Sequence, residues 1–335
     1  MEKSIMQVDF YDRILRVTPE KFEALAMEIF KLQATFNVVY KEYIFLLKKD
    51  VNEITRIEEI PFLPIELYKN QDIKTGEWNE QFYFLSSGTS NSVRSRNPVK
   101  DLAWYSEVVT RTFLNNLPDL RKAEKAMRFV AYLPGYIENP NSSLVMMLTL
   151  LARSFDSEVI FISNKLELIS VLKEKLNSLD QVVLFGVSFA LYDFAKEFTC
   201  SDSNLMIIET GGMKTDSREI TKDEIYNTLK NAFSLSDIYS EYGMTELMSQ
   251  AYSKNSMNYH SPAWMKVIVT AADDPGGIKL IGKRGRVHVI DLANIDTCCF
   301  LQTGDAGISN EDGSFQVLGR LQDDELRGCN LMIGE

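Results

Sequence analysis

Between residues 127 and 242, short apolar runs alternate with segments whose apolar positions recur every three or four residues. The runs 127-MRFVAYL-133, 158-EVIFI-162, 181-QVVLF-185, 204-NLMIIE-209 and 237-DIYSEY-242 have the length and the β-branched and aromatic content of strands. Residues 142–154, 165–177 and 221–234 carry the helical period between them. Such alternation predicts an α/β fold with a mostly parallel sheet and helices on its faces. In open sheets of this kind, ligands collect at the carboxyl ends of the strands.

The flanking regions read differently. Thr18 followed by Pro19 is a helix N-cap with proline at the first helical position, and Phe22, Leu25, Ala26, Ile29 and Phe30 continue at helical spacing. The N-terminal third is therefore expected to be mainly helical, up to the turn-rich 71-QDIKTGEWNE-80 and the strand 81-QFYFL-85. In the last third, 265-MKVIVT-270, 287-VHVIDL-292, 298-CCFLQT-303 and 315-FQVLG-319 are short strands joined by Gly- and Asp-rich turns, which predicts a smaller antiparallel β region. The expected division is a helical part over 1–80, an α/β part over 81–255, and a β region with a C-terminal tail over 256–335.

Composition narrows the function. The 335 residues can bury a sizeable core, and a 45% hydrophobic, 25% charged chain is average for a globular protein. A net charge of −11 without a long Lys/Arg run argues against nucleic acid or an anionic membrane as partner. The N-terminal MEKSIMQVDFYDRIL lacks the apolar core of a signal peptide, and no run of about 18 apolar residues offers a membrane span, so the expected location is the cytoplasm. Four cysteines, Cys200, Cys298, Cys299 and Cys329, form no C-x-x-C pair and are expected as reduced thiols, with Cys298 and Cys299 in the core. With only His260 and His288, a histidine-rich zinc site is nearly excluded and a Ser-His-Asp hydrolase has poor candidates.

Five stretches carry candidate chemistry. The loop 86-SSGTSNSVRSR-96 offers hydroxyls, a glycine for close backbone approach, and Arg94 and Arg96 to pair with phosphate, but lacks Walker spacing and reads equally as a solvated turn. Gly211-Gly212 is either a turn or a backbone passage against which a flat base can lie. In 241-EYGMTELMSQ-250, Tyr242 and Gly243 precede Thr245 and Glu246, read as standing at a strand end and a helix start, where a hydroxyl serves phosphate and a carboxylate serves Mg²⁺, or where both simply cap the helix. Asp305 in 302-QTGDAG-307 is read in a tight turn, as a ribose-binding carboxylate or a turn former. Arg320 ends the last strand, as a phosphate or ribose ligand or a surface ion pair.

The order of these stretches resembles the adenylate-forming superfamily of acyl- and aryl-CoA ligases (the phenylacetate-CoA ligases among them), luciferases and peptide-synthetase adenylation domains. Within it, EYGMTELMSQAYS, RGRVHVIDLANIDTCCFLQTGDAG and GRLQDDELRGCNLM look most like the acyl-protein synthetase family, which includes the fatty-acid-activating component of the bacterial luciferase fatty-acid reductase complex. The resemblance implies the large-domain fold of adenylate-forming enzymes, parallel sheets with flanking helices plus a smaller C-terminal β region, with ATP and Mg²⁺ as cofactors. It implies that Ser86, Ser87, Gly88, Thr89 and Ser90 wrap the phosphates, Gly211 and Gly212 border adenine, and Tyr242 with Gly243 stands near the base. Thr245 and Glu246 would serve phosphate and Mg²⁺, Asp305 the ribose, and Arg320 the phosphate or ribose.

Two departures from the superfamily pattern stand out. Asn91-Ser92-Val93-Arg94 replaces the usual Gly-x-Pro-Lys, leaving Arg94 or Arg96 as the substitute cation. With the sequence ending at residue 335, the usual swinging C-terminal domain of about a hundred residues is expected to be lacking. The resemblance implies that Cys329, in RGCNLM, receives the acyl group instead, with Arg327 favouring its thiolate. The implied reaction is ATP-dependent activation of a carboxylic acid, a fatty acid on the family pattern, to acyl-AMP with release of pyrophosphate. The acyl group then passes to the enzyme cysteine, an acyl-CoA reductase or another acceptor protein. The alternatives are an acyl- or aryl-CoA ligase, a non-catalytic nucleotide- and acyl-binding subunit of a reductase or synthase complex, and a thiol-dependent acyltransferase that ignores ATP. The segments 132-YLPGYIENPNSSLVMM-147 and 184-LFGVSFALYDF-194 are the expected acyl pocket.

Overall fold

The computed structural model describes residues 10–87, 93–117, 126–176, 179–211, 220–274 and 277–321. Its strands are β1 (Leu63–Pro64), β2 (Phe82–Leu85), β3 (Arg96–Val99), β4 (Met127–Tyr132), β5 (Val159–Ile162), β6 (Gln181–Val187) and β7 (Leu205–Thr210). They continue with β8 (Tyr239–Tyr242), β9 (Ala251–Lys254), β10 (Met265–Thr270), β11 (Gly285–Asp291), β12 (Phe300–Ser309) and β13 (Phe315–Arg320).

The first sheet has the order β5-β4-β6-β7-β8-β9, parallel from β5 to β8 and closed by antiparallel β9. Three of the four crossover helices begin where a side chain satisfies a free amide: Ser142 caps Ser143–Arg153, Asn164 caps Lys165–Lys175 and Thr221 caps Lys222–Phe233, while Ser188–Ala195 follows β6 directly without a side-chain cap. The sheet is buried on both sides, as crossovers require. Phe129, Val183 and Phe185 join the larger core with Phe113 from the helix Leu102–Asn116. Val130, Leu184 and Ile207 join a second core with Leu191, Phe194, Leu229 and Phe233.

In the second sheet β10, β11, β12 and β13 are antiparallel neighbours, and β1 adds to β12 in parallel. The helices Pro19–Phe36 and Val38–Leu46 pack on this sheet, where Phe30, Tyr40 and Phe300 form a ring cluster at 5.8–6.2 Å. The larger core thus runs from these helices through to the first sheet. Strand β2 does not join either sheet. It pairs with β3, so Arg96, expected in the loop, stands on a strand.

Three local readings change. Thr245 and Glu246 sit in a turn at the end of β8 rather than at a helix start. Asp305 is not in a turn but inside β12, because Gly304 and Gly307 are strand glycines that give room to Arg320 and to the Gln316 carbonyl. Of the expected acyl pocket, Leu184, Phe185, Leu191 and Phe194 are fully buried core residues, and the Leu191 side chain fills the space over Gly186. Cys298 and Cys299 are buried, as expected, and burial pushes the Cys298 thiol up to about 12. His288 is buried within β11, its imidazole driven down to about 3 by burial. Among the described residues, no helix is long and apolar enough to cross a membrane.

Candidate functional site

The carboxyl end of β8 meets the second sheet. Tyr242, the last residue of β8, donates its hydroxyl to Asp305 Oδ2 at 2.9 Å. Asp305 is paired in register with Arg320 across β12 and β13, and Arg320 Nε lies 3.1 Å from Asp305 Oδ1. Tyr242 and Asp305 are buried while half of the Arg320 side chain reaches solvent, so the trio opens on one side. Burial and the Asp305 charge hold the Tyr242 phenol well above its ordinary range, so it is a neutral donor. Tyr259 and Phe315 pack around its ring at 5.8 and 5.5 Å. Asp305 therefore presents a fixed carboxylate between a hydroxyl and a guanidinium, the donor set that a vicinal diol could enter.

Gly243 begins a turn without regular structure that carries Thr245 and Glu246, both buried. What fixes it is far away in sequence. Asn97 on β3 donates to the Thr245 carbonyl at 2.9 Å, and Asn294 donates to the Glu246 carbonyl at 2.6 Å. The Asn294 oxygen accepts from Met248 N, and Asp291 accepts from both Ser249 N and Ser249 Oγ. Consecutive carbonyls are thus held from the β2–β3 hairpin and from the second sheet. Burial raises the Glu246 carboxyl, opposed by a hydrogen bond with Ser95 and by the charge of Arg320. Local sequence reading missed Asn97 and Asn294, which no short motif marks, whereas Ser95 lies within the hydroxyl-rich loop 86–96.

Ser86 closes the base of its loop by a reciprocal pair with Ser95: Ser86 N donates to the Ser95 carbonyl at 3.0 Å, and Ser95 N to Ser86 Oγ at 2.9 Å. Ser87 is exposed next to it. Arg96 is tied to Asp72 and Glu80 and lies over the Tyr83 ring at 4.4 Å, while Arg94 is half-buried. At the end of β7, Gly211 adopts φ +92, a left-handed value that favours glycine, and its carbonyl accepts from Ser188 Oγ at 2.9 Å. Of the other expected site residues, Gly88, Thr89, Ser90, Gly212 and Cys329 lie outside the described residues.

A family model described as acyl-protein synthetase, LuxE, matches residues 19–335. No curated protein matches the chain in sequence. Among solved structures, an open conformation of 2-hydroxyisobutyryl-CoA ligase with 2-HIB-AMP and CoA is similar, with TM-score 0.69 and 10% identity over 93% of this chain and 72% of that one. ATP-bound MatB from Rhodopseudomonas palustris gives TM-score 0.51 and 15% identity over 71% and 47%. A mutant o-succinylbenzoate CoA synthetase from Bacillus subtilis gives 0.51 and 15% over 83% and 54%. The chain thus spans about half the length of the last two. At these identities the likeness is one of fold, and the fold is the expected one, that of the large domain of adenylate-forming ligases.

Proposed function

The chain belongs to the acyl-protein synthetase family, LuxE, and from that premise we propose that it activates a carboxylic acid with ATP. The substrate carboxylate attacks the α-phosphorus, the bond to the β-phosphate oxygen breaks, and acyl-AMP and pyrophosphate form. The observation that carries this reading is the trio of Tyr242, Asp305 and Arg320, with Glu246 on the turn that follows Tyr242, at the carboxyl end of a parallel sheet. Asp305 accepts the ribose hydroxyls, Arg320 faces phosphate or ribose, and Tyr242 with Gly243 borders the base. Gly211 and Gly212 line adenine. Ser86, Ser87, Gly88, Thr89 and Ser90, with Thr245 and Arg94, surround the phosphates, whose charge grows in the transition state.

Mg²⁺ fits Glu246. A buried carboxylate whose charge is opposed by desolvation gains from a divalent cation, and one carboxylate together with substrate phosphates is the usual Mg²⁺ environment. The buried Asn97 Oδ1, which has no partner, is a further oxygen beside this turn. When bound, the cation neutralises phosphate charge. In the second half-reaction the Cys329 thiolate attacks the acyl carbonyl, a carbon–sulfur bond forms and AMP leaves. The acid is a fatty acid on the family pattern, and the thioester then passes to a reductase or another acceptor.

Rapid quenching followed by mass spectrometry tests both steps. Acyl-AMP should form with the correct acid, and the intact protein should gain one acyl group, released by hydroxylamine. Cys329→Ser should still form acyl-AMP but lose the covalent mass. Absence of acyl-AMP with every acid contradicts the first step, and an unchanged covalent mass in Cys329→Ser contradicts the second.

A further inference from the structure

The face of the first sheet that carries Glu241 is polar within an otherwise apolar layer. Glu241 and Tyr252 are directly opposite in the β8–β9 register, so their side chains leave the same face. That face is covered by the helix Leu102–Asn116, whose Phe113 ring meets Tyr252 at 6.0 Å. Gln250 joins the pair: a side chain on Gly243 would begin 2.5 Å from Glu241 Oε1 and 3.4 Å from Gln250 Cγ. Thr210 donates to Glu241 Oε2 from β7.

The remaining hydrogen-bonding capacity here is unused. Gln250 gives its amide nitrogen to the Met248 carbonyl at 3.2 Å, which fixes Oε1 on the other side without a partner. The Tyr252 hydroxyl has no partner either. These side chains are only 3% and 2% exposed, and buried polar atoms are costly when left unbonded. Packing alone gives no reason for them, since phenylalanine and leucine would fill the same space.

We propose that Glu241, Gln250 and Tyr252 form a subsite for a hydroxyl group of the acid being activated, so that the preferred substrates are hydroxy acids. This rests on the adenylation reading above. Gln250 Oε1 can only accept, and Tyr252 can accept or donate, so the complementary group is a donor that also accepts, as a hydroxyl does. The same turn leads from Gly243 to Thr245 and Glu246, so the subsite adjoins the residues proposed to serve the phosphates and Mg²⁺. The open acceptor distinguishes a hydroxylated acid from an unsubstituted one: a site built to bond a hydroxyl rejects the analogue that lacks it.

The test compares 2- and 3-hydroxy acids with unsubstituted acids of equal chain length, by calorimetric binding to the full chain and by acid-dependent pyrophosphate exchange. Binding of a hydroxy acid at least about tenfold tighter than its unsubstituted match is expected. The ratio should fall toward one in Tyr252→Phe, which removes only an unpartnered hydroxyl, and in Glu241→Leu. Equal binding of the two acids, binding of neither, or a ratio that Tyr252→Phe leaves unmoved, overturns the subsite. A retained binding preference without exchange supports the subsite and counts against adenylation.

Discussion

Glu241 keeps its proton where an exposed glutamate would not. Desolvation is the main cause, and the nearby Glu209 charge adds to it, while Thr210 and Lys222 oppose; the carboxyl is pushed up to about 7. The folded protein therefore holds this proton through a range in which the unfolded chain, near the ordinary glutamate value of 4.5, has released it. Stability from this group is fully present below about pH 4.5 and is lost as pH rises through about 7. Glu241→Gln should stabilise the protein at pH 8 relative to wild type, by an amount on the order of 3 kcal/mol read as a higher melting temperature, and change it little at pH 4.5. Equal shifts at both pH values would contradict the assignment. At Asp305 the expected effect is on ligand rather than fold. Asp305→Asn should raise the KM for ATP by roughly 10- to 100-fold, as expected for loss of hydrogen bonds to a charged group. Titration of ATP in the exchange assay measures it. Tyr242, Glu246, Asp305 and Arg320 each stand in a short motif that the sequence marks as a candidate; the structure joins Tyr242, Asp305 and Arg320 and sets Glu246 on the turn that follows Tyr242.

At the scale of elements, periodicity locates β4 through β8 and three of the four helices between them to within a few residues, since each is apolar on both faces or amphipathic, but not the eight-residue helix Ser188–Ala195, whose segment reads as an apolar pocket lining. It missed β1, which is two residues long, and β3, whose Arg96-Asn97-Pro98-Val99 looks like loop. The turn at Thr245 was also misread, because the Thr-Glu pair imitates a helix start while its true constraints come from Asn97 and Asn294. Such long-range clamps leave no local signal. Asn294→Ala should therefore lower kcat/KM more than the melting temperature alone explains, with the loss shown as Mg²⁺-dependent turnover at a temperature where the variant remains folded. A second element-level device is the irregularity in β12 between Ala306 and Gly307, beside Asp305. A side chain at Gly307 would begin 2.4 Å from the Gln316 carbonyl and 2.5 Å from Val287 Cγ2. Gly307→Ala should cost about 2 kcal/mol or more, read from the denaturation midpoint, and should weaken ATP binding by moving Asp305.

For the whole molecule, the site exists only because two sheets meet. The first supplies Tyr242, Thr245 and Glu246, the second supplies Asp305, Arg320 and the Asn294 clamp, and the β2–β3 hairpin adds Ser86, Ser95 and Asn97. The larger hydrophobic core is continuous across these parts, so the geometry is set by global packing rather than by any one motif. The most direct measurement is carboxylate-dependent exchange of labelled pyrophosphate into ATP across fatty, hydroxy and aromatic acids, with Glu246→Ala and Asp305→Asn alongside. The account predicts exchange with a subset of acids that collapses in Glu246→Ala and requires more ATP in Asp305→Asn. ATP binding without exchange for any acid, or exchange indifferent to both substitutions, would contradict it.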